Sequence, residues 1–86
     1  GEIRQRAPGA SAVILAEGPG TNPRFEGVER ALADPRAKLR LFGKPTTRKH
    51  RRMGVVVAYA ETVEEARQVA TRGASAVTVL HEPPEG

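Results

Sequence analysis

A small α+β domain, mainly β, is what the sequence predicts, and three observations predict it. The chain has 86 residues, which is room for a single hydrophobic core. Four short runs, at 10–16, 37–41, 53–60 and 76–80, are either apolar throughout or alternate with the period of a strand. Two segments, at 25–33 and 62–73, space their apolar residues three and four apart as helices do.

Taken in order, Ala10-Ser11-Ala12-Val13-Ile14-Leu15-Ala16 is an apolar strand stopped by the turn Glu17-Gly18-Pro19-Gly20. Thr21-Asn22-Pro23-Arg24 reads as a loop, because its first three residues favour turns. From 25 to 33, Val28, Ala31 and Leu32 mark a helix of two turns at most, closed by Asp34-Pro35. Ala37-Lys38-Leu39-Arg40-Leu41 alternates, with Ala37, Leu39 and Leu41 on one face and the two cations on the other. Positions 43–50 form an irregular polar stretch. Met53-Gly54-Val55-Val56-Val57-Ala58-Tyr59-Ala60 is apolar on both faces, as a central strand is, and antiparallel pairing with the Lys38 strand is expected.

Thr62-Val63-Glu64-Glu65 is a capping box, in which the Thr62 hydroxyl and the Glu65 carboxylate each satisfy an orphan backbone donor. Behind it, Val63, Ala66, Val69 and Ala70 form the buried stripe, while Glu64, Arg67, Gln68 and Thr71 face water. Gly73 stands where a C-terminal cap belongs. The last strand, Ala76-Val77-Thr78-Val79-Leu80, ends at His81, and a polar tail follows. Residues 1–9 and 81–86 are expected to be flexible.

Composition narrows the function. Only Phe25, Phe42 and Tyr59 are aromatic, so the core is built from aliphatics. The absence of cysteine excludes disulfides, thiolate nucleophiles and Cys-based metal sites. No apolar run approaches the roughly 20 residues that span a bilayer, and Gly1-Glu2-Ile3-Arg4-Gln5-Arg6 lacks the apolar stretch of a signal peptide, so a cytoplasmic protein with no membrane partner is expected. The start without Met reads as a piece of something longer. Separate nucleotide and substrate domains would need more chain than this.

The net charge of +4 calls for an anionic partner. Arg36, Lys38, Arg40, Lys44, Arg48, Lys49, Arg51 and Arg52 fall in 17 positions that no acidic residue interrupts. A solvated basic face accounts for such a run as readily as a binding site does. The local pattern favours the site: Gly43 admits close approach of a ligand, Pro45 stiffens the chain after Lys44, and Arg51-Arg52 stand at the mouth of a strand. A lysine point charge with planar arginine forks suits a phosphate monoester. Nucleic acid is the weaker alternative, because no aromatic platform lies among the arginines and no recognition-helix or zinc-finger pattern is present. His50 and His81 read as solvent-facing histidines, Glu64-Glu65 as helix capping, and Gly18-Pro19-Gly20 as a turn lacking the Lys and Ser or Thr of a P-loop.

Four segments carry a resemblance: Ile3-Arg4-Gln5, Ala10-Ser11-Ala12-Val13-Ile14-Leu15, Leu41-Phe42-Gly43-Lys44-Pro45 and Arg51-Arg52-Met53-Gly54-Val55. In this order they resemble the C-terminal domain of formate-dependent phosphoribosylglycinamide formyltransferase, an ATP-grasp enzyme of purine biosynthesis. The related carboxylase subunit of phosphoribosylaminoimidazole carboxylation has a similar domain, but Phe42, Pro45, Arg52 and Val55 favour the formyltransferase. The resemblance implies a small barrel-like sandwich, the rudimentary single-hybrid motif, in one domain over 1–86, with the ATP-grasp and N-terminal domains outside it. It also implies that Lys44, Arg51 and Arg52 hold the phosphate of glycinamide ribonucleotide, with no catalytic or metal-binding residue in this chain. ATP and magnesium would be bound by the parent enzyme, which would activate formate and transfer the formyl group. Expected partners are the phosphoribosyl substrate, the remaining domains of the same polypeptide, and a second copy of the parent. Two departures from the family pattern are Thr46, where many members carry Glu, and the basic Arg48-Lys49-His50.

Overall fold

The structure is a computed structural model, and it describes residues 8–43 and 46–83. Eight elements follow in chain order: β1 (Gly9–Leu15), β2 (Gly20–Glu26), α1 (Val28–Ala31), β3 (Ala37–Leu41), β4 (Thr46–Thr47), β5 (Arg52–Tyr59), α2 (Val63–Ala76) and β6 (Thr78–Glu82). Two three-stranded antiparallel sheets result, in the orders β1-β5-β3 and β4-β2-β6. The expected α+β class, dominated by strands with one well-formed and one short helix, is therefore present.

The first sheet is the one the alternation describes. β5 lies at its centre, and Leu39 of β3 pairs with Val56, as does Ala12 of β1. On the inner face Ile14, Ala37, Val56 and Ala58 are buried against α2, while Lys38 and Arg40 point the other way and are exposed. Near its start β5 carries one extra residue: Ile14 pairs with Gly54 but Leu15 pairs with Arg52. This bulge at Met53 shifts the phase of the strand, so Met53 is fully buried and Arg52 comes out beside Leu15.

α2 begins as expected, with the Glu65 N–H donating to the Thr62 hydroxyl at 3.1 Å. The other half of the box differs. The Glu65 carboxylate turns to Arg36, 3.7 Å away, because that guanidinium is brought to the helix start by the turn before β3. Ala66, Val69 and Ala70 are buried, and Glu64, Arg67, Gln68 and Thr71 are exposed. Val63, expected in the stripe, is instead 47% exposed, since it lies ahead of the point where the helix meets the sheet.

Gly73 is not a cap. It is buried inside a helix that runs on to Ala76, and a Cβ there would stand 2.9 Å from Val56 Cγ1. Seven of the twelve buried apolar residues among those described are alanine, so the core is thin and α2 must approach the sheet closely to exclude water from it. Glycine at 73 permits that approach. Because the helix continues, β6 starts two residues later than expected and includes His81 and Glu82.

Three further expectations are corrected. The stretch 21–24 is strand rather than loop: β2 pairs with β6 on both sides of a bulge that absorbs Asn22, at φ 51°, and Pro23, which has no N–H to offer. Its turn-forming residues thus mark an irregularity within a strand. The helix expected over 25–33 is a single turn, because Phe25 and Glu26 belong to β2 and Gly27, at φ 87°, breaks the chain between strand and helix. Of the three residues expected on its inner face, Ala31 is buried and Val28 half-buried, but Leu32 is 47% exposed.

The reversal into β3 is held by Asp34, whose carboxylate accepts three bonds from Arg36: from the backbone N–H at 2.9 Å, Nε at 3.0 Å and Nη2 at 2.8 Å. Arg72 of α2 lies 4.0 Å from the same carboxylate. These bonds, the side-chain ones foremost, lower the pKa of Asp34 from 3.8 to about 2. A carboxylate with a depressed folded pKa contributes stability above its unfolded pKa and loses it as pH falls through the folded one. The Asp34 contribution is accordingly complete above about pH 4 and lost between there and pH 2. A carboxyl titration followed by NMR should place Asp34 near 2, and Arg36→Gln should return it toward 3.8.

Gly73→Leu should lower stability by at least about 1–3 kcal/mol in urea unfolding, as overpacking against a stiff buried valine does. Gly27→Ala should also destabilise, since its Cβ would overlap the Ala76 carbonyl oxygen in a left-handed backbone.

Candidate functional site

The basic stretch is an excursion between β3 and β5. The two strands continue their ladder one step beyond β3, where the Phe42 N–H donates to the Met53 carbonyl at 2.9 Å, and the chain then leaves the sheet. Lys44, the first of the three residues expected to grip a phosphate, lies outside the described residues with Pro45. Gly43 has open space where a Cβ would be.

On its return the excursion is tied down at both levels of the molecule. β4 pairs with the start of β2, Thr47 opposite Gly20. Thr47 is 5% exposed, and its hydroxyl donates to the Gly18 carbonyl at 2.8 Å. Next, residues 48–51 make a tight turn closed by the Arg51 N–H donating to the Arg48 carbonyl at 2.9 Å. His50 takes the left-handed position of this turn at φ 65°. The Ala16 carbonyl accepts from the His50 N–H at 2.8 Å, and the Ala16 N–H donates to the Arg51 carbonyl at 2.9 Å. Both backbone groups of Arg51 are thereby engaged.

Arg51 is half-buried at the end of the turn, and Arg52 is exposed at the first position of β5. The structure thus sets the two arginines side by side on a fixed backbone. Both precede the bulge, and Arg52 falls on the side of Leu15 and Arg40. Among the described residues no ion pair engages Lys38, Arg40, Arg48, Lys49, Arg51 or Arg52, whereas Arg36 is taken by Asp34 and Glu65. Cations without an ion-pair partner among the described residues repel one another, and an anion bound among them would relieve that repulsion.

His50 is exposed and serves the turn through its backbone. The His81 ring lies over Gly20 with Nδ1 3.1 Å from the Glu82 carbonyl oxygen. No group of three or more His, Asp or Glu among the described residues is placed to hold a metal ion, and no described helix is long and apolar enough to cross a membrane.

Comparison with known proteins places this geometry in a lineage. A family model described as "PurT, C-terminal" matches residues 9–77. The chain belongs to the PurT C-terminal family. Formate-dependent phosphoribosylglycinamide formyltransferases from Azoarcus sp. and from Nitratidesulfovibrio vulgaris (strain DSM 19637 / Miyazaki F) are 54% and 51% identical to this PurT C-terminal domain over 77 residues, 90% of the chain. The chain spans about a fifth of the length of these curated relatives. Among solved structures, N5-carboxyaminoimidazole ribonucleotide synthetase from Thermotoga maritima superposes with a TM-score of 0.77 at 32% identity, over 88% of this chain and 21% of that one. The PurT C-terminal fold is thus shared with this synthetase, at lower identity than with the formyltransferases.

The residues that fix the turn, Ala16, Gly18 and Thr47, are not marked as such by their side chains in the sequence. Ala16 acts through its backbone alone, so its side chain carries no signal. The β-branched pair Thr46-Thr47 was the one available hint of a strand inside the polar stretch.

Thr47→Val keeps the shape and removes the bond to Gly18. It should cost about 1 kcal/mol in chemical denaturation, a typical net value for one hydrogen bond. Amide exchange at His50 and Arg51 should accelerate in the same variant.

Proposed function

We propose that this domain is the C-terminal, substrate-binding lobe of a formate- and ATP-dependent phosphoribosylglycinamide formyltransferase of de novo purine biosynthesis. Within it, Lys44, Arg51 and Arg52 hold the phosphate of glycinamide ribonucleotide. The reading of the parent is carried by identities near one half to formyltransferases over nine-tenths of the chain. The reading of the site is supported by an Arg51 backbone fixed on both sides, amid cations without ion pairs among the described residues.

The lobe's contribution is positioning. A dianionic phosphate accepts forked bonds from arginine and a point charge from lysine, and holding that end of the substrate directs the glycinamide amine toward groups elsewhere in the enzyme. A backbone already locked in the turn keeps the entropic cost of binding to that of the side chains. In this reading the sites for ATP and magnesium belong to the remainder of the parent. Nucleotide and metal bound there supply the activation of formate by phosphoryl transfer.

In the full-length enzyme carrying this domain, Arg51→Ala and Arg52→Ala should each raise KM for glycinamide ribonucleotide about 10- to 150-fold, the equivalent of one charge-assisted hydrogen bond. An unchanged KM in both variants would overturn the assignment of the phosphate site. Turnover with bicarbonate and aminoimidazole ribonucleotide in place of formate and glycinamide ribonucleotide would transfer the parent to the carboxylating relatives.

A further inference from the structure

The outer face of the β1-β5-β3 sheet is built against the usual rule. An antiparallel sheet with one face toward water normally presents polar residues there. Here register places Val13, Val55 and Val57 on that face, joined by Tyr59, and opposite Val55 and Val57 on β3 stand Arg40 and Lys38. Val13 is 46% exposed and Tyr59 45%, while Val55 and Val57 are half-buried. Lys38, Arg40, Val55, Val57 and Tyr59 line one shallow depression. Contiguous apolar surface rimmed by charge is the signature of an interface.

We propose that this face is the seat of the rest of the same polypeptide, through an apolar surface that carries carboxylates opposite Lys38 and Arg40. This extends the reading of the domain as one lobe of a longer enzyme and rests on it. Two observations choose the occupant. The three strands contain no acidic residue, so a second copy laid face to face would offer Lys38 and Arg40 no counter-charge. About four-fifths of the length of the curated relatives lies outside this domain, which supplies a covalently tethered partner at high effective concentration. Arg52, on the same side of the sheet as Arg40, then stands at the border of the buried face. The phosphate site opens at the seam between lobes, where ligand clefts commonly form.

The test uses the full-length enzyme carrying this domain. Val13→Cys and Lys38→Cys on the face, and Gln68→Cys on the exposed side of α2 as control, are reacted with a maleimide in the folded protein. Peptide mass spectrometry reads the labelling at each introduced thiol; the domain itself has no cysteine. The expected result is at least tenfold slower labelling at 13 and 38 than at 68, at all enzyme concentrations, with equal rates after unfolding in urea. A carbodiimide should also join Lys38 to an Asp or Glu outside the domain. Labelling at both face positions as fast as at Gln68→Cys would overturn the proposal, and so would protection that vanishes on dilution, which would assign the face to a second copy. The lysine position is exposed, so Lys38→Cys reports even if Val13→Cys fails to fold. No substrate enters this measurement; loss of the phosphate assignment and loss of the docking face are therefore separate outcomes.

Discussion

Everything in this domain hangs on how closely α2 lies on the β1-β5-β3 sheet. With most of the core made of alanine, there is little side-chain volume to fill a gap, and a helix held a methyl's width further out would leave a void. Gly73 over Val56 removes that width. The consequence for function is geometric. β5 is clamped from its inner side by α2 and from both edges by β1 and β3, so the position where it begins, Arg52, is set by the core.

The basic excursion is stable for a different reason. Its cations repel, and no side-chain ion pairs among the described residues offset that within positions 38–52. It is held through the backbone: β4 paired to β2, Thr47 bonded to Gly18, and Ala16 joined to both His50 and Arg51. Backbone bonds of this kind hold the turn without drawing on the guanidinium groups. Arg36 shows the contrast, since its fork is spent on Asp34 and its role is to shape the entry to β3.

Much of this was legible where one physical rule acted alone. The alternation of 37–41, the apolar run of 53–60 and the Thr62 cap are each local signals, and each appears in the structure at its place. Illegible parts are those in which tertiary pairing overrode a local preference. Asn22 and Pro23 are turn formers, yet β4 and β6 on either side of β2 draw them into a strand and leave a bulge. Gly73 has the identity of a helix cap and the job of a spacer, and only the position of Val56 distinguishes the two. For the site, the charged residues announce themselves in the sequence, whereas the bonds that aim them come from an alanine and from main-chain atoms with no residue-specific mark.

The bulge at Met53 gives the domain an asymmetric tolerance to change in length. Upstream of it only Arg52, opposite Leu15, is still in the ladder, so a change of length between β3 and β4 leaves the faces of β5 as they are. Downstream, a single insertion or deletion would exchange the two faces of β5, turning Val56 and Ala58 outward and Val55 and Val57 toward α2. One segment can therefore vary in length, whereas the other can vary only in its side chains. The boundary between them is one buried methionine.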